Sequence, residues 1–277
     1  MAQRVRIGIV APASRVSPTL LENVVKLAEK LYPERVHVRI HPQCFRSSGH
    51  FAGSDEERAQ AFLDYANDES LDAIWFARGG YGSGRIASLV LPGLNESARR
   101  KTYLGYSDAG ALLGAMYANG FKNIFHGPMA ADLGRENGEK AVLRALRFLV
   151  ERDRASLEPS VSDGHATAAF NITILAHLAG TAFLPDLTGH ILMLEEVSEA
   201  MYRVDRALWH LTNVPSIKRA QGIRLGRVSL VPDNEPQFGE DEVAIVTRWC
   251  QRSAIPYLGR ADIGHDVENK VVPFGAL

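Results

Sequence analysis

The chain has 277 residues, near twice the usual domain size of roughly 150, so one large domain or two modest ones are expected. It is 46% hydrophobic and 23% charged, which excludes a disordered protein and leaves room for a sizeable core. Lys plus Arg number 31 and Asp plus Glu 32, a formal net charge of -1, so bulk charge favours neither nucleic acid nor an anionic membrane as partner. The two cysteines, Cys44 and Cys250, are too few for a disulfide framework or a Cys-rich zinc site and suit a reducing compartment. The opening stretch from Met1 to Val10 is short and soon broken by Pro12, so it reads as neither signal peptide nor membrane span. The cytoplasm is the expected location.

In chain order, Arg4 to Val10 reads as a strand that ends in the loop Ala11-Pro12-Ala13-Ser14. Leu20 to Leu31 carries apolar residues at helical spacing, and Val36 to Ile40 alternates like a strand. Ser54-Asp55-Glu56-Glu57 is a capping-box signature opening the next helix. Ala73 to Ala77 is apolar throughout, as in a strand buried on both faces. A glycine-rich loop and a helix-like stretch from Gly84 to Leu91 follow. Thr102 to Leu104 is the next short strand, and Ala109 to Ala118 the next helix. This β-α-β-α rhythm predicts a mainly parallel sheet with helices on its faces, and ligands beyond the C-terminal strand ends.

After the helix-like run Lys140 to Leu149 the rhythm weakens. Glu151 to Thr167 is polar, contains Pro159, Asp163 and Gly164, and is taken as a domain junction. It divides an α/β domain at residues 1–155 from a second domain at 156–277. Beyond it, β-like runs are read at Ile172 to Leu178, His190 to Leu194, Ile223 to Leu230 and near Val271, with helices around Glu199–Leu211 and Asp241–Gln251. The second domain is therefore expected to be smaller, β-rich and mixed.

The strongest local chemical signal is Gly105-Tyr106-Ser107-Asp108-Ala109, between a strand and a helix. It resembles the Gly-x-Ser-x-Gly elbow, with Ala109 in place of the last glycine. Such a turn pushes a serine Oγ out of the backbone, and the next amide can donate to an oxyanion. A plain N-cap after a strand would look similar. The second signal, Arg78-Gly79-Gly80-Tyr81-Gly82-Ser83-Gly84-Arg85, fits neither the dinucleotide fingerprint nor the P-loop. Its glycines let backbone approach a ligand closely and aim amides inward, or else form an ordinary turn. A nucleophilic serine needs a base and an orienting acid. His37, His177 and His210 read as structural, whereas His126 follows a strand-like segment and could line the site or bond backbone, and His265 lies in a loop after a short apolar run near the C-terminus. Glu195 ends the apolar run Ile191 to Leu194. No His-x-x-x-His, His-Glu-x-x-His or paired cysteines support a metal site.

Taken together, these residues resemble the LD-carboxypeptidase family of serine peptidases, which includes the microcin-immunity peptidases. The pieces are Gly8 to Ser14, Phe51 to Arg58, Ile74 to Gly82, Gly105 to Asp108, Leu184 to Leu187, Leu194 to Val197 with Tyr202 to Arg206, and Gly264-His265. The resemblance implies Ser107 as nucleophile, Glu195 as acid and His265 as base. It implies the amides of Gly80 and Asp108 as oxyanion donors. It further implies a flavodoxin-like or Rossmann-like N-terminal domain, a smaller β-rich C-terminal domain, a site between them, and a homodimer. The departures are Glu195-Glu196 where the family has Glu-Asp, Ser198 where it has glycine, and a short chain.

The implied activity is removal of terminal D-alanine from a murein tetrapeptide in peptidoglycan recycling, without cofactor or metal. The small muropeptide's carboxylate then needs a cation, with Arg78, Arg85 and Arg203 as candidates. An immunity-type peptidase acting on a peptidyl-nucleotide is the alternative, although Glu151 to Thr167 lacks the aromatic residue those members use. An α/β-hydrolase esterase and a non-enzymatic ligand-binding module complete the set.

Overall fold

The computed structural model describes residues 4–161 and 164–277. Met1 to Gln3 and Asp163, both used in the sequence reading, lie outside the described residues. The first half runs β1 (Val5–Val10), α1 (Pro18–Leu31), β2 (Val36–Ile40), α2 (Asp55–Ala66), β3 (Ala73–Phe76), α3 (Ala87–Val90), α4 (Glu96–Arg100), β4 (Thr102–Gly105), α5 (Ala109–Ala118), β5 (Ile124–His126) and α6 (Glu139–Glu151). The second half runs β6 (Thr167–Asn171), α7 (Ile172–Leu178), β7 (Ile191–Val197), α8 (Met201–Leu211), α9 (Pro215–Lys218), β8 (Gly222–Ser229), α10 (Glu242–Ser253), β9 (Tyr257–Arg260) and β10 (Val272–Pro273).

The fold is α/β. A six-stranded sheet has the order β10-β5-β4-β3-β1-β2, parallel except for β10, and a second sheet has the order β6-β7-β8-β9. Within β1 to β5 this is the doubly wound order whose direction reverses between β1 and β3. Ligand crevices open at such a reversal, outside the C-terminal strand ends. The central strands are short and buried on both faces, as the unbroken apolar run Ala73–Phe76 requires. Trp75 is wholly buried because its indole N–H finds the Pro128 carbonyl at 2.8 Å. The expected capping box is present: Glu57 N donates to Ser54 Oγ, and Ser54 N to Glu57 Oε2.

Three expectations change. Ile172–Leu178 is helix α7, because Asn171 caps it by accepting from Ile174 N; the β-branched residues gave only a weak propensity, which capping and packing override. The second sheet is parallel throughout and interleaved with helices, so it repeats the alternation of the first half. The tail near Val271 forms β10, which pairs antiparallel with β5 in the first sheet. Thr167 and Gly275 exchange backbone hydrogen bonds beside it, so the last residues touch both sheets.

 The two halves also share one core: in α5, Gly110 and Gly114 leave room for Phe170, Ile174 and Leu178. Among the described residues no helix is long and apolar enough to cross a membrane.

Candidate active site

The turn between β4 and α5 places Ser107 in the left-handed region at φ 60, which costs a residue with a Cβ roughly 1–2 kcal/mol. Strain of this kind persists where the surroundings over-determine it. Here β4 is buried on every residue and α5 is apolar all round, so neither end of the turn can relax. Gly79 packs against the turn, and a Cβ there would stand 3.1 Å from Ser107 Oγ. The hydroxyl faces a cleft of about 430 Å³ lined by Arg78, Gly79, Gly80, Tyr106, Arg135 and His265, among others.

Ser107 Oγ lies 2.9 Å from His265 Nε2, and His265 Nδ1 lies 2.6 Å from Glu195 Oε2. A carboxylate accepts only, so Nδ1 carries the proton and Nε2 is left to accept from the serine hydroxyl. Glu195 is fully buried. The β7–β8 pairing shifts register between Leu194 and Glu196, and Gly226 of β8 makes room: a Cβ there would stand 2.9 Å from Glu195 Cβ. The neighbouring carboxylate has other partners. Glu196 accepts from Asn171 Nδ2, the Thr173 amide and hydroxyl, and the Val197 amide. Burial raises its pKa, and those donors oppose the shift. Alternation along β7 thus separates the two: Glu195 meets the histidine and Glu196 ties down the β6–α7 turn.

The loop after β3 is held from below. Asp108 accepts from the Gly82 and Ser83 amides at 3.2 and 2.8 Å, and the Ser83 hydroxyl donates to the Asp108 carbonyl at 2.5 Å. Burial raises the Asp108 pKa against these bonds. Arg58 of α2, itself buried, donates to the Gly82 carbonyl at 2.8 Å and to the Pro12 carbonyl. Gly80 sits at φ 108, where a Cβ would run into Ser14 Oγ. Among the described residues, neither the Gly80 nor the Asp108 amide donates to a protein acceptor.

The three candidate arginines separate. Arg78 is exposed on the cleft wall and has no protein partner among the described residues. Arg85 forms a forked pair with Asp55, with bonds of 2.7 and 2.9 Å, and does not line the cleft. Arg203 lies on α8, 3.4 Å from Glu199, in a different groove with Thr173 and Trp209. His126 is fully buried behind the site and bonds Asn269 Oδ1 at 3.1 Å; burial lowers its pKa to about 4. Sequence reasoning missed Arg135, which lines the cleft, and Asn269 and Arg227, which brace the loop of His265. Their only local signal is a polar residue in a loop. Several of their partners are remote in sequence: Tyr106 and His265 for Arg135, Asp262 and Asp266 for Arg227, and His126 for Asn269.

Residues 7–127 match the LD-carboxypeptidase N-terminal domain, and residues 167–277 match the LD-carboxypeptidase C-terminal domain. The chain belongs to the LD-carboxypeptidase family. It is 30% identical to the murein tetrapeptide carboxypeptidase of Pseudomonas aeruginosa, over 98% of this chain and 91% of that protein. It is 28% identical to a probable murein peptide carboxypeptidase of Bacillus subtilis, over 98% of this chain and 86% of that one. The fold is similar to that of the muramoyltetrapeptide carboxypeptidase from Oxalobacter formigenes, with a TM-score of 0.81 at 24% identity over 98% of this chain and 93% of that one. It is also similar to that of a microcin C7 self-immunity protein, with a TM-score of 0.80 at 19% identity over 99% and 92%. An LD-carboxypeptidase family member is a peptidase, and that coarse activity fits a cleft built around a serine hydroxyl.

Proposed function

We propose that this protein is a serine LD-carboxypeptidase that removes terminal D-alanine from a murein tetrapeptide, in the cytoplasm and as a homodimer. The observation that carries the catalytic reading is the hydrogen-bonded chain Ser107–His265–Glu195. Ser107 Oγ attacks the carbonyl of the scissile bond while its proton passes to His265 Nε2. Glu195 fixes the imidazole tautomer and stabilises the imidazolium. The Gly80 and Asp108 amides take the oxyanion, each such donor being worth about 3 kcal/mol in the transition state. As the tetrahedral species collapses, His265 returns the proton to the departing D-alanine amine, and water then hydrolyses the acyl-serine by the same route. Arg78 is the cation for the substrate's terminal carboxylate. Its guanidinium stands on the cleft wall without a protein partner among the described residues, whereas Arg85 and Arg203 are paired elsewhere.

The test is release of free D-alanine from a murein tetrapeptide by the protein and by Ser107→Ala. Turnover by the parent that falls to background in the variant is expected. Turnover that survives in Ser107→Ala removes the serine from its role. A parent that ignores the tetrapeptide and cleaves a peptidyl-adenylate moves the reading to the immunity branch, whose fold the chain shares.

A further inference from the structure

We propose that Arg135 is a positioning residue that clamps the loop of His265 onto the nucleophile turn. The proposal rests on the reading of Ser107 as nucleophile and His265 as base. Arg135 follows the short turn after β5 and reaches three groups at once. Its Nε donates to Asp132 Oδ1 at 2.8 Å, one terminal nitrogen to the Tyr106 hydroxyl at 3.1 Å, and the other to the His265 carbonyl at 2.9 Å. Tyr106 immediately precedes the nucleophile, and its hydroxyl also donates to Asp132 Oδ1 at 2.9 Å. Asp132 is buried and accepts the Met129 amide through its other oxygen. One fork therefore joins the residue before the serine to the backbone of the histidine, which lies 130 positions after Arg135 in sequence.

The charge logic separates Arg135 from Arg78. Both line the cleft, but the Arg135 guanidinium is already committed to a carboxylate, a hydroxyl and a carbonyl. Charge-assisted bonds of this kind are the strong ones, and only a planar fork can make all three. The His265 imidazole stands 5.0 Å from the Tyr106 ring. A carbonyl held at one end and an aromatic ring beside it fix where Nε2 meets Ser107 Oγ. A misplacement of about 1 Å at such a contact can cost roughly 100-fold in rate.

The experiment measures kcat and KM for D-alanine release from a murein tetrapeptide in Arg135→Gln and Arg135→Lys, and adds guanidinium chloride to Arg135→Ala. We expect kcat to fall on the order of 10- to 100-fold with KM nearly unchanged. Lysine should fail like glutamine, because one ammonium cannot span the three partners, and free guanidinium should restore part of the rate. A raised KM with unchanged kcat would make Arg135 a substrate anchor and overturn the proposal, as would full activity in Arg135→Lys. A crystal structure of whichever variant folds gives a readout that needs no substrate. His265 Nε2 should leave its 2.9 Å contact with Ser107 Oγ; if the contact is intact, the clamp does not exist. That arm stands even if the parent proves inactive on the tetrapeptide, an outcome that counts against the proposed substrate alone.

Discussion

The nucleophile turn and the histidine loop face each other across the same cleft, yet they are built differently. The turn at 105–108 is a backbone object. Its geometry follows from a buried strand, an apolar helix and a serine forced to φ 60 between them. The loop at 261–271 has no helix or strand and is held by side chains, two of them arginines from elsewhere. Arg227 of β8 bonds Asp262 and Asp266, Arg144 of α6 reaches the Val267 and Asn269 carbonyls at 2.7 and 2.9 Å, and Asn269 accepts the Gly264 amide. A nucleophile can be set by local φ and ψ, whereas a base brought in from the other half must be tied by long-range donors. Damage on the loop side should therefore show first as misplacement, and damage on the turn side as strain.

The largest effect should separate two adjacent carboxylates. Glu195→Gln leaves a neutral group facing His265 and is expected to lower kcat by about 10⁴, the scale seen when a triad acid becomes an amide. Glu196→Gln should leave kcat within a few-fold. It should instead cost about 1–3 kcal/mol of stability, because it disturbs the donors that Asn171, Thr173 and Val197 aim at the carboxylate. Steady-state rates together with urea unfolding distinguish the two. Comparable losses of kcat in both variants would mean that β7 does not present them to different partners.

Next is the loop beneath the oxyanion site. Asp108→Ala removes the acceptor of the Gly82 and Ser83 amides while keeping its own backbone N–H. If that acceptor holds Gly80 in place, kcat should fall about 10²- to 10³-fold, the cost of losing one oxyanion donor. A rate within two-fold of the parent would show that Arg58 and the Ser83 hydroxyl hold the loop without that carboxylate.

Acid should loosen the histidine side. His126 is buried neutral, with its pKa lowered from 6.5 to about 4 by desolvation. Between those values the unfolded chain binds a proton that the folded chain excludes, so stability is full above about pH 6.5 and is lost as pH falls towards 4. The loss approaches about 3 kcal/mol. His126→Gln retains an N–H donor for Asn269 and should lose less stability over that interval. Urea titrations of both proteins at a series of pH values give the difference; identical slopes would free His126 of the effect.

The same contrast explains what was legible in the sequence. Ser107, Gly80 and Asp108 stand in local motifs, because a turn writes its demands into neighbouring residues. Glu195 and His265 stood only as candidates among others until the resemblance gave them roles, since one ends a strand and the other sits in a plain loop. The parallel sheet of the first half followed from its periodicity. The second half repeats that alternation, but Ile172–Leu178 hid it, because three β-branched residues mask a helix whose start is decided by the Asn171 cap. Arg135 was illegible for a stronger reason: its partners are a tyrosine, an aspartate and a carbonyl that only the folded chain brings together.

The smallest effects test the strain itself. Ser198, which follows β7, also sits at φ 60; it is exposed, and its amide donates to the Ser229 carbonyl. Glycine there would relieve roughly 1–2 kcal/mol of left-handed strain and lose roughly 0.5–1 kcal/mol of chain entropy. Ser198→Gly should therefore stabilise by about 0.5 kcal/mol, raising Tm by about 1–2 °C without touching kcat. At Ser107 the comparison must avoid the lost hydroxyl, so Ser107→Gly is set against Ser107→Ala. Both lack the bond to His265, and only alanine keeps a Cβ at positive φ. The glycine variant should melt higher by a similar margin. If it melts lower, the turn is not strained, and the rigidity of the nucleophile side would have to come from packing alone.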